Sequence, residues 1–108
     1  MSISSRAVLL SLGAAGLLVV ASAQAADAPV SAAQAANMAV NCFSCHGPEG
    51  RSPGSIPSLQ QLTAVNIVAL MKDFRSGKRP STVMGRHAKG YTDAEVEALA
   101  GYIAGLKK

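Results

Sequence analysis

Cys42-Phe43-Ser44-Cys45-His46 is the stretch that decides how the rest of the chain is read. C-x-x-C-H is the attachment pattern of a c-type haem. Cysteines three positions apart stand on one side of a helical turn, so both sulfurs can reach the two vinyl groups along one porphyrin edge. His46 follows directly, and its imidazole can swing beneath the iron as the proximal ligand. On this reading the largest apolar object in the fold is a cofactor that the sequence does not encode. Two other readings lose on context. A thioredoxin-type redox pair needs a strand–helix–strand setting, and no strand pattern surrounds these residues. A zinc site needs further ligands, and there is neither a second Cys pair nor a histidine other than His87.

Upstream, Met1 to Ala25 reads as a secretory signal peptide. Arg6 supplies the positive end, Ala7 to Val20 is an apolar run broken only by Ser11 and glycines, and Ala23-Gln24-Ala25 fits small-x-small cleavage. The run is shorter than the ~20 apolar residues of a spanning helix. The expectation is a leader at 1–25, one small domain at 26–108, and no membrane span after cleavage. The implied compartment is the periplasm or an equivalent exported space, where haem attachment requires thiols kept reduced beforehand. A domain this short has a thin apolar core and needs a staple, here thioethers to haem in place of a disulfide.

Arg6 is the only charged residue of the leader, so ten basic side chains become nine against six acids, a net +3. Lys72, Arg75, Lys78, Arg79, Arg86 and Lys89 fall in one window. That window reads either as a solvated helix face with its loop or as a docking surface for an electron-transfer partner. Nucleic acid is excluded as a partner, because aromatic residues make up only 4% of the chain and no recognition module appears.

The remaining pattern is all-α. Ser31-Ala32-Ala33-Gln34 is a capping-box start for a first helix over Ala32–Cys45, with Ala35, Met38, Ala39 and Cys42 on one face. Its alanines allow another helix to cross closely. Gly47, Pro48, Gly50, Pro53, Gly54 and Pro57 make the next segment a loop around the proximal side of the haem. A ligating histidine wants its other nitrogen on a carbonyl, and Pro57 is the expected acceptor, with Pro53 next. Arg51 reads as a solvated loop arginine or as the partner of a haem propionate. A second helix starts at Thr63 or Asn66 and stops at Gly77, with Ile67, Leu70, Met71 and Phe74 apolar and Lys72, Asp73 and Arg75 opposite.

Gly77 to Gly90, with Pro80 and Gly85, reads as a second irregular segment. Met84 sits in it, on chain free to turn inward, and is the expected sixth ligand; His87 and an open sixth position are the alternatives. Met38 and Met71 are confined to helix faces. Thr92-Asp93-Ala94-Glu95 opens a third helix to Leu106 that buries Val96, Leu99, Ile103 and Leu106 and ends near Lys107 and Lys108. Tyr102 is expected where this helix crosses the first.

The order of C-x-x-C-H, Pro57-Ser58-Leu59, a loop methionine, Thr92-Asp93-Ala94-Glu95 and Leu99-Ala100-Gly101-Tyr102-Ile103 resembles the class I c-type cytochromes across nearly all of 26–108. The resemblance implies a small all-α cytochrome c fold of three to four helices around one covalent haem c. Cys42 and Cys45 would be the thioether links, His46 and Met84 the axial iron ligands, and one haem edge exposed. Ser81 to Tyr91, with Met71 to Gly77, looks like the haem subunit of flavocytochrome c sulfide dehydrogenase. That family passes electrons from a flavoprotein (FAD) subunit, which oxidises sulfide, to a soluble electron acceptor. The implication is a flavoprotein partner, with no FAD on this chain and no substrate chemistry of its own. Better-known members have two haem domains; one C-x-x-C-H, and an end after the part like the first domain, imply a single-haem version. His87 stands where an apolar or variable residue is expected, which keeps bis-histidine ligation open. The other functional readings are a free soluble shuttle to an oxidase or reductase, and a haem enzyme or gas binder with an open sixth position.

Overall fold

The computed structural model describes residues 28–106. The expected leader at 1–25, its cleavage point, and Lys107 and Lys108 lie outside the described residues. Three helices begin at side-chain caps legible in the sequence. Helix α1, Ala32–His46, opens with a reciprocal pair: the Ser31 hydroxyl accepts from the Gln34 amide at 3.2 Å, and the Gln34 side chain accepts from the Ser31 amide at 2.8 Å. Helix α2, Ala64–Ser76, starts where Thr63 accepts from the Asn66 amide and ends at Gly77, which is left-handed at φ 78°. The expected third helix is observed as Asp93–Gly105, opened by the Thr92–Glu95 capping box.

The segment 77–90 departs from expectation. It is not irregular throughout, because Met84–Lys89 forms a short helix, α3, so that Asp93–Gly105 becomes α4. Proline and glycine signals conceal this turn, since six residues are too few to form a helix from propensity alone. A local side-chain bond and tertiary burial supply what propensity lacks. Ser81 accepts from the Gly85 amide at 2.8 Å, and Ala88 is fully buried. The loop after α1 likewise contains a single 3-10 turn, Pro48–Gly50.

Among the described residues there is no strand. Helix α4 packs on both α1 and α2, and α3 packs on α2. Ala35 and Ala39 of α1 and Ala100 of α4 are buried to 3% exposure or less, and their small side chains let helix backbones approach closely. The core cluster is Ala39, Ile67, Leu99, Ala100 and Ile103. It is thin: of all the buried side chains, the largest that is fully enclosed is Val96. Most of the larger apolar groups stand around it at half burial, including Met38, Cys42, Phe43, Leu59, Leu62, Val68, Met71, Tyr91 and Tyr102. Of the α2 stripe only Ile67 is fully buried; Leu70, Met71 and Phe74 remain half-buried. Val96, Leu99 and Ile103 of α4 are buried and Leu106 is half-buried.

Candidate metal centre

Cys42, Cys45 and His46 occupy the last turn of α1. Cys42 is half-buried against the core and Cys45 is exposed. Burial pushes the Cys42 thiol up from its ordinary value, against a smaller opposing effect of a backbone hydrogen bond.

His46 is the final residue of α1, because Gly47 turns the chain sharply away at φ 82° and ψ 166°. A Cβ at Gly47 would lie 2.1 Å from the Arg51 carbonyl oxygen, so only glycine fits this turn. The returning chain is tied down at Gly50. Its amide donates to the Gly47 carbonyl at 2.9 Å, and its carbonyl accepts from the Leu59 amide at 2.8 Å and the Ser58 hydroxyl at 2.7 Å. These bonds bring Pro57 back over the helix end. His46 Nδ1 lies 2.5 Å from the Pro57 carbonyl oxygen. A carbonyl can only accept, so Nδ1 carries the hydrogen and Nε2 keeps its lone pair for a metal. Arg51 pairs with Glu49 at 3.3 Å, with both side chains exposed.

Met84 is the first residue of α3 and is half-buried, on a helical turn and not on free loop. His87, one turn on, is exposed and lines a shallow surface groove with Val83, Arg86, Gly90 and Tyr91. Among the described residues no three His, Cys, Asp or Glu side chains converge on a point where they could hold a metal ion. One imidazole and one thioether make no cage by themselves, but they are suitable donors for an iron whose other four ligands come from a macrocycle, and the two cysteine sulfurs are what would tether that macrocycle. The ring of half-buried apolar side chains suits a flat apolar group equally well. The residues present fit a covalently attached haem.

Arg75 is the residue that sequence reasoning misplaced. It was assigned to the solvated face of α2, yet its guanidinium turns inward, with 30% of the side chain exposed. Nε donates to the Ala88 carbonyl at 3.1 Å, Nη2 to the Tyr91 carbonyl at 2.8 Å, and Nη1 to Asp93 Oδ1 at 2.5 Å. The signal was present in the spacing, because Ile67, Met71 and Arg75 recur every four residues along one side of α2. Other cations of the basic window are also engaged. Lys78 pairs with Asp73 at 3.5 Å, and the Arg79 guanidinium lies 5.6 Å from the Phe74 ring centroid. Lys72, Arg86 and Lys89 are exposed.

A helical fold of this kind, with a C-x-x-C-H at the end of its first helix, defines a haem-bearing electron carrier. The cytochrome c family model matches residues 30–107, and the chain belongs to the cytochrome c family. Its cofactor is covalently bound haem c and its work is electron transfer. Among relatives, it is 41% identical over 86 residues to the cytochrome subunit of sulfide dehydrogenase of Chlorobaculum tepidum, a match covering 80% of this chain and 78% of that protein. It is 38% identical over 69 residues to a thiosulfate dehydrogenase electron acceptor of Stutzerimonas stutzeri, spanning 60% of this chain but only 32% of that longer protein. Cytochrome c-553 of Helicobacter pylori is 32% identical over 72 residues, 65% of this chain and 75% of that protein. No helix among the described residues is long and apolar enough to cross a membrane.

Proposed function

We propose that this chain is the haem subunit of a flavoprotein sulfide dehydrogenase, exported to the periplasm by the leader at 1–25. There it accepts electrons from an FAD subunit and passes them to a soluble acceptor. The observation that carries this reading is the 41% identity, over four-fifths of the chain, to a cytochrome subunit of sulfide dehydrogenase. At the site, Cys42 and Cys45 would hold the haem through thioethers, His46 and Met84 would ligate its iron, and the Pro57 carbonyl orients His46.

Bound haem c supplies a one-electron couple, and the chain's residues set how easily that couple is used. Donation from His46 Nδ1 to Pro57 fixes the ring and makes Nε2 a better electron donor. The Met84 thioether is soft and neutral, which favours the ferrous state and raises the potential. Phe43, which lies between the two cysteines and packs against the apolar core, would help to limit water at the attachment site, so that little solvent reorganises when charge changes. No substrate has to reach the metal; oxidation of sulfide belongs to the flavin chain. Lys72, Arg86 and Lys89 line the rim of the partner's footprint.

Resemblance to cytochrome c-553, whose name carries no partner enzyme, favours a second reading, a soluble shuttle steered to its partners by charge. Purification from the native host in moderate salt separates the two. A persistent complex brings an FAD-containing polypeptide along in near-equal amount. Recovery of the cytochrome alone, with association to redox partners that fades steeply as salt rises, would replace the complex with the shuttle.

A further inference from the structure

Helix α3 has little of its own to keep it in place. It is six residues long, and its N-terminal residue Val83 makes no side-chain cap. An isolated turn of that length melts in water. Its packing partner is α2. Gly85 lies against the α2 backbone, with space for a Cβ only 3.3 Å from the Phe74 carbonyl oxygen, and Ala88 is fully buried. These contacts are small. Apart from the bond of Ser81 to the Gly85 amide, the side-chain bonds that fasten this end of the molecule come from one residue. Arg75 reaches from the last turn of α2 to the Ala88 carbonyl inside α3, to the Tyr91 carbonyl beyond it, and to Asp93 in the first turn of α4. One planar cation therefore ties three helices together, and a planar five-donor group is the only side chain that can do so at once.

We propose that Arg75 is a positioning residue for electron transfer: through its bonds to Ala88, Tyr91 and Asp93 it holds α3 on the bundle and so holds Met84 in ligating position. The inference rests on the reading of Met84 as axial ligand and adds the group that keeps it there. Each of the three guanidinium nitrogens of Arg75 is bonded within the fold, so it does not belong with the exposed cations of the rim. Hydrogen bonds from a charged donor are stronger than neutral ones, so their loss should be felt first by the element with least else to hold it. That element is α3. Helices α1 and α4 keep their mutual interface whatever happens at position 75.

The test uses the haem-loaded protein with Arg75→Ala, Arg75→Lys and Asp93→Ala, read by amide hydrogen exchange and by the far-red sulfur-to-iron absorption band of the oxidised form. In Arg75→Ala, amides of residues 85–90 should exchange about ten- to a hundredfold faster while those of α1 and α4 hardly change. The absorption band should disappear at lower urea than in the wild type, before the helices unfold. Arg75→Lys, which keeps the charge but not the fork, should fall between wild type and Ala, and Asp93→Ala should be milder than either. If Arg75→Ala does not accumulate in folded form, Arg75→Lys alone must loosen α3 selectively. Equal acceleration across all helices, or none in α3, would overturn the clamp. A wild-type protein without the band would instead remove Met84 from the site, and exchange would still report whether Arg75 holds α3.

Discussion

Cys42–His46 and Met84–Lys89 carry the proposed ligands of one iron, and they are held by opposite means. The first segment ends a fifteen-residue helix with a complete capping box, and its chemistry is written in five consecutive residues. Its one long-range partner, the Pro57 carbonyl, arrives on a loop fixed by bonds among neighbours in sequence. The second segment is a six-residue helix with no capping box, hung on α2 and fastened by an arginine nine residues before Met84. The strong site is local and covalent; the weak one is tertiary. A carrier built this way keeps its cofactor even when the sixth ligand lets go, so damage on the Met84 side should alter potential long before it costs haem.

The harshest way to break that contrast is at the attachment itself. Replacing both Cys42 and Cys45 with serine should abolish covalent haem, read as a polypeptide mass without the added cofactor and loss of visible colour after denaturation. On the other side, Met84→Ala should leave the haem attached but lower the midpoint potential by on the order of hundreds of millivolts, as axial ligands set haem potentials over a range of ~0.8 V. Retention of the wild-type potential would shift the sixth position to His87 or leave it open.

A smaller effect should separate backbone from side chain. Gly47→Ala puts a Cβ against the Arg51 carbonyl at a left-handed turn, and should cost about 2 kcal/mol or more in urea unfolding. It should also disturb the histidine side, because the same turn brings Pro57 back to His46.

The mildest test concerns the clamp and pH. A hydrogen bond from Arg75, and then its charge, hold the Asp93 carboxyl below the ordinary carboxylate range. A carboxyl depressed in the folded state adds stability above its unfolded value and loses it as the pH falls through the folded value. The stability gap between wild type and Asp93→Asn should therefore be constant near neutrality and close below about pH 4. A gap that widens in acid would mean that the pair does not stabilise the fold.

The sequence by itself determined the cofactor and three of the four α-helices among the described residues. Each rests on residues within a few positions of one another: the C-x-x-C-H stretch, the Ser31, Thr63 and Thr92 caps, and Gly77 at the end of α2. Local signals of that kind survive in any context because the groups that bond are neighbours in the chain. What tertiary structure alone decided was α3 and the fate of Arg75. Pro80, Gly85 and Gly90 argue for loop, and only Ser81, the burial of Ala88 and a guanidinium from another helix overrule them. Similarly, an arginine flanked by Lys72 and Lys78 reads as solvated until the carbonyls of Ala88 and Tyr91 are brought within its reach. Hydrogen bonds between residues 13 to 18 positions apart have no period and no motif, so they become visible only once the helices have packed.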